Sequence, residues 1–83
     1  MYRVEFARPA AKNASLPVAA RVRLINRIES LADNPRPRGV ETLIGGNGAL
    51  RVRVGTYRVI YEIRDAVLLV LVLKIGHRRD VYR

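Results

Sequence analysis

Arg51, Arg53 and Arg58 recur within LRVRVGTYRVIYE (residues 50–62), among valines and aromatics that alternate as a half-buried strand pair requires. A second basic group lies in GHRRDVYR (residues 76–83): His77, Arg78, Arg79 and Arg83, with Tyr82 among them. A guanidinium is planar and presents a fork of donors, so arginines gathered on a rigid sheet suit phosphate or carboxylate. Basic residues beside an aromatic suit nucleic acid, where charge holds the backbone and the ring stacks on a base. The seven acidic residues are scattered, with no carboxylate cluster for a divalent metal and no Ser–His–Asp constellation. Chemistry from such a set would be metal-free and would need no cofactor. One reaction fits: transesterification within RNA, where the substrate's 2′-OH is the nucleophile. The protein aligns it with the scissile phosphate, stabilises the developing charge and assists proton transfer. DNA lacks that hydroxyl. A solvated basic face is the plainer alternative.

The 83 residues suffice for one small domain, taken as 1–83. The net charge is +9, and the sixteen basic residues are fourteen Arg and only two Lys, Lys12 and Lys74. That balance points to a polyanion: nucleic acid, a ribosome or an acidic protein. The absence of cysteine excludes a disulfide scaffold and a Cys-ligated zinc site. No apolar signal-peptide core opens the sequence, and its longest apolar run, residues 66–73, is too short to span a bilayer. A cytoplasmic location is expected, with no membrane contact.

The elements that must position these residues read as an α+β domain. YRVEF (residues 2–6) alternates as a strand, and Pro9 with the following alanines favours a short helix. From Pro17 to about Asp33, Val18, Val22, Ile25, Ile28 and Ala32 recur at steps of three and four, widened by Leu24 and Leu31. This predicts an amphipathic helix with Arg21, Arg23 and Arg27 directed mainly to solvent. DNPRPRG stops it. VETLIGGNG is expected to be a short strand running into a Gly-rich turn. Gly55–Thr56 suits a type II′ hairpin that pairs Arg53 with Arg58 and Arg51 with Ile60. Val52, Val54, Tyr57, Val59, Tyr61 and Ile63 then face the helices, and the three arginines share an exposed outer face, where Glu62 is placed to neutralise Arg64. AVLLVLVLKI (residues 66–75) reads as a central strand buried on both faces. The order is β-α-α-β-β-β, a helix pair packed on one face of a mainly antiparallel sheet. Like charges directly opposite on a sheet cost a few tenths to about 1 kcal/mol, whereas a bound phosphate reverses the sign.

Taken together, YRVEF, IESLADNPRP, LRVRVGTYRVIYEI and GHRRDVYR resemble the RelE-type toxins of the RelE/ParE toxin–antitoxin superfamily, essentially end to end. The resemblance implies the toxin of a type II pair: a ribosome-dependent endoribonuclease, or mRNA interferase, that cleaves mRNA in the A site. It also implies a cognate RelB-like antitoxin that wraps the toxin and carries any contact with operator DNA. Arg51 and Arg53 stand where well-studied members carry two strand lysines. Arg58 matches their phosphate-binding arginine, Arg78 the arginine that serves the leaving oxygen, and Tyr82 the tyrosine that stacks on the nucleotide. Arg79 and Arg83 add charge for RNA.

This sequence departs from the family at the strand pair. Arginine, with a pKa above about 12, is effectively never deprotonated and is a poor general base. Tyr82 (reference pKa about 10) and His77 (about 6.5) are the groups left to serve. Two other functions share the fold: ParE-like inhibition of gyrase by binding, and a non-catalytic module acting with its antitoxin in operon repression.

Overall fold

Alternation in YRVEF produces the first strand, β1 (Arg3–Phe6), and a single helical turn, α1 (Arg8–Ala11), follows it. Then come helix α2 (Val18–Asp33), a two-residue strand β2 (Glu41–Thr42), the hairpin strands β3 (Leu50–Val54) and β4 (Tyr57–Arg64), and β5 (Leu69–His77). These are drawn from a computed structural model that describes residues 1–11, 16–43 and 48–77. The strands form one sheet in the order β1-β5-β4-β3-β2, parallel only between β1 and β5. Among the described residues no helix is long and apolar enough to cross a membrane.

Two expectations change. The helix pair is one full helix and one turn, because α1 spans only four residues, too few to form a helix with a face of its own. The sheet has a fifth strand: the short strand foreseen in VETLIGGNG is confined to Glu41 and Thr42, which pair with Arg51 and Leu50. Most of the Gly-rich stretch, residues 44–47, lies outside the described residues.

Helix α2 ends where the sequence forces it to. Asn34 precedes Pro35, which disfavours helical backbone, and Asn34 is extended (φ −144°, ψ 93°). Its buried face differs from the stripe read in sequence. Leu24, Ile28 and Leu31 are buried against Val52, Val59, Tyr61, Val70, Val72 and Ile75 of the sheet. Val18, Val22 and Ile25 point outward and are exposed. The apolar stripe was wide enough for two faces, and the sheet takes only one of them. Beside the outer face, Val4, Phe6, Ile25, Ile28 and Glu29 line a groove of about 380 Å³.

β5 is central, as its apolar run requires, but not equally buried on its two faces. Val70, Val72 and Ile75 are buried, whereas Leu71, Leu73 and Lys74 are partly exposed, because α2 covers only one side. The register with β4 shifts between Ile60↔Lys74 and Tyr61↔Val72, leaving Leu73 as an extra residue. Tyr61 is fully buried, and its hydroxyl donates to the Pro35 carbonyl at 2.7 Å, tying the exit of α2 to the sheet.

The β4–β5 connection is a single 3-10 turn (Asp65–Val67) closed by Leu68 in left-handed conformation (φ 51°). Asp65 accepts from the Tyr2 hydroxyl at 2.5 Å and from Arg36 Nη1 and Nη2 at 3.1 and 2.8 Å. Hydrogen bonds from Arg36 and then Tyr2 hold its carboxyl down to about 2, from 3.8.

Two outcomes follow for stability. Leu31→Ala should cost about 2–5 kcal/mol in denaturant unfolding, whereas Ile25→Ala, at a site 51% exposed, should cost less than about 1. Because the Asp65 pKa is depressed on folding, its contribution is fully present above about pH 4 and is lost as pH falls toward 2. Thermal melts across that window should therefore show a shallower acid limb in Asp65→Asn than in the parent.

Candidate nucleic-acid interface

Turn chemistry sets the geometry of the hairpin. Gly55 has φ +61°, and Thr56 has no positive φ, as a type II′ turn requires. The register pairs Val54 with Tyr57, Arg53 with Arg58, Val52 with Val59 and Arg51 with Ile60, as the alternation foretold. Val52, Val59 and Tyr61 enter the core, with Val54, Tyr57 and Ile63 packed against it. Arg51, Arg53 and Arg58 therefore share the opposite face. A Cβ on Gly55 would lie 3.0 Å from Arg23 Nη2, so Arg23 of α2 rests against the hairpin turn.

The neighbouring strands extend this face in two rows. Glu41, Arg51, Ile60 and Lys74 lie side by side across β2, β3, β4 and β5. Arg53, Arg58 and Gly76 form the next row. Further along, Glu62 pairs with Arg64 at 2.7 Å, as foreseen.

Exposure across the face is uneven, which corrects the expectation of three open arginines. Arg53 is exposed, the Arg51 side chain is 16% exposed, and Arg58 is buried at 5%. Arg58 sits on an inner strand, flanked by β3 and β5, and its Nη1 donates to the Tyr57 carbonyl at 3.2 Å. A buried charge is tolerated only with hydrogen bonds and counter-charge nearby. Glu41 supplies counter-charge. Its carboxylate is ion-paired with Arg51, and its pKa is lowered, chiefly by the Arg51 hydrogen bond and charge and further by the charges of Arg53 and Arg58.

His77 lies elsewhere. It is opposite Tyr57 in register, their rings meet edge to face at 5.9 Å, and Tyr57 packs on the core side. His77 thus faces away from the arginines. Arg78, Arg79, Tyr82 and Arg83 lie outside the described residues. Among the described residues, no three of His, Asp and Glu gather as a metal-binding group.

Two members of the face escaped the sequence reading. Lys74 is the one charge in an otherwise apolar run, and that interruption was the available signal. Glu41 carried none, because its register depends on how the chain returns between β2 and β3. The assembled face is a cationic array on a rigid sheet, with Glu41 at its edge and Glu62 held by Arg64 further along, suited to the oxygens of a phosphodiester.

Residues 5–82 match the family model described as the ParE toxin of the type II toxin–antitoxin system parDE. Toxin RelG of Mycobacterium tuberculosis is 44% identical over 36 residues, covering 43% of this chain and 41% of the relative. The match thus spans about two fifths of that relative's length. The archaeal RelE–RelB complex from Pyrococcus horikoshii OT3 superposes with a TM-score of 0.81 at 32% identity, over 95% of this chain and 97% of the other. The toxin–antitoxin complex RelBE2 of Mycobacterium tuberculosis gives 0.81 at 29% identity, over 93% and 98%.

The uneven burial separates two arginines that look equivalent in sequence. Arg53→Ala should change unfolding free energy by no more than about 0.5 kcal/mol. Arg58→Ala removes a buried stem and its bond to Tyr57, and should cost about 1–3 kcal/mol. Urea titrations of the two variants beside the parent check this.

Proposed function

We propose, because the chain belongs to the RelE/ParE family of type II toxin–antitoxin toxins, that it inhibits translation by cutting mRNA in the ribosomal A site without a metal. The observation that carries this reading is the cationic face, in which Arg51, Arg53, Arg58 and Lys74 come from three adjoining strands of a rigid sheet. Such an array supports binding of a phosphodiester and stabilisation of the charge that develops on it.

In this mechanism the RNA 2′-oxygen attacks phosphorus and the bond from phosphorus to the 5′-oxygen breaks. A 2′,3′-cyclic phosphate forms, the 2′-proton passes to a base, and the departing 5′-oxygen takes up a proton. Exposed Arg53 meets the developing charge, and Arg51 and Arg58 support it from the same face. Arg78 serves the leaving oxygen, Tyr82 stacks on and orients the nucleotide, and Arg79 and Arg83 add charge along the backbone. The base falls to Tyr82 or His77. The contact of His77 with Tyr57, on the core side of the sheet, favours Tyr82.

A RelB-like antitoxin restrains the toxin in this reading, and operator DNA is reached only through that partner. The similar solved complexes, of RelE with RelB and of RelBE2, support such a partner. A +9 chain favours an acidic one. The match to the ParE family favours a second reading, a toxin that binds and inhibits gyrase without cutting RNA.

A translating extract programmed with a defined mRNA tests both. Cleaved ends should carry a 5′-hydroxyl and a 2′,3′-cyclic phosphate or its opened form, and Arg53→Ala should lower cleavage on the order of 10²-fold. Ends bearing a 5′-phosphate would refute internal attack. Inhibited supercoiling by gyrase, with intact mRNA, would establish the second reading instead.

A further inference from the structure

We propose that Glu41 is a built-in counter-anion of the arginine face, holding in the free protein the place on Arg51 that a phosphate oxygen takes when RNA binds. The inference rests on the reading of the face as a phosphodiester site, and it assigns Glu41 a positioning role within that site.

Three observations carry it. Glu41 and Arg51 are direct cross-strand partners, so the backbone itself sets the carboxylate beside the guanidinium. The pair is formed, and it is asymmetric: the Arg51 side chain is 16% exposed and that of Glu41 is 53% exposed. Most of the Arg51 side chain is therefore covered, while its carboxylate partner stands half in water. Finally, Arg53 and Arg58 act on the same carboxylate through their charges, so Glu41 lies within the field of all three arginines.

Carboxylate and phosphate engage a guanidinium fork in the same geometry, which makes them competitors for Arg51. A half-exposed ion pair contributes little, so a phosphate can displace the carboxylate into solvent at small cost. Until then Glu41 offsets the repulsion among like charges on the sheet and keeps Arg51 aimed along it. RNA binding is thus an anion exchange, and Glu41 sets its threshold. Among the described residues β2 pairs with β3 alone, and the charged groups facing Glu41 are Arg51 and Arg53 of β3 and Arg58 of β4.

The pH response has a definite sign. The Glu41 pKa is depressed below 4.5, so the carboxylate competes at neutral pH and stops competing as pH falls through that depressed value. A phosphodiester remains ionised there, so its binding should strengthen on acidification.

The test uses the whole chain and a 2′-deoxy tetranucleotide, which presents diesters and cannot be cleaved, with affinity read by calorimetry. Glu41→Gln should bind about 3- to 10-fold tighter than the parent at pH 7. Glu41→Asp, which keeps the charge, should stay close to the parent. The gap between parent and Gln variant should close as pH falls below 4.5, a change that a purely structural role for Glu41 would not produce. Equal affinities in parent and Gln variant, with both weakened by Arg53→Ala, would overturn the role of Glu41 and leave the phosphodiester site standing. Binding that is absent, or indifferent to Arg53, would overturn both.

Discussion

β5 can be satisfied only in the middle of a sheet. It is apolar at almost every position, so neither edge can face water without exposing backbone polar groups beside a greasy surface. The fold supplies β1 on one edge and β4 on the other. Among the described residues β1 has no other strand partner, and Arg3 reaches across much of the chain to pair with Leu69. Once β5 is placed, α2 has one sheet surface to cover, and Leu24, Ile28 and Leu31 cover it. Among the described residues, no helix covers the opposite surface. There the cationic rows lie, with Arg53 in solvent and Arg58 buried between its neighbouring strands.

Those rows show how a sheet tolerates like charge. Arg53 and Arg58 are opposed directly, the arrangement that isolated strand pairing disfavours. Solvent screens Arg53, the Tyr57 carbonyl takes a bond from Arg58, and Glu41 neutralises part of the field.

Much of this was legible beforehand. The hairpin register followed from Gly55 and strict alternation, since a one-residue slip would have put every arginine into the core. The end of α2 followed from Asn34–Pro35. The inward face of α2 did not follow, because seven apolar residues cover more of the helix than a sheet can reach, and nothing local ranks Ile25 below Leu24. The depth of Arg58 was hidden for a related reason. Periodicity assigns a face, whereas burial depends on how many strands stand on either side. Glu41 was hidden because strand partners separated by a long connection leave no spacing signal.

The outward apolar face of α2, with Phe6 beside its groove, gives the molecule two surfaces that answer added salt with opposite signs. Screening weakens attraction to the arginine rows within a Debye length of about 8–10 Å. Salts excluded from protein surfaces strengthen apolar burial instead. A contact made through Val18, Val22 and Ile25 therefore tightens under the same sulfate addition that loosens one made through Arg53. Ionic strength thus acts as a chemical compass for this molecule, reporting which side of the sheet a bound macromolecule occupies.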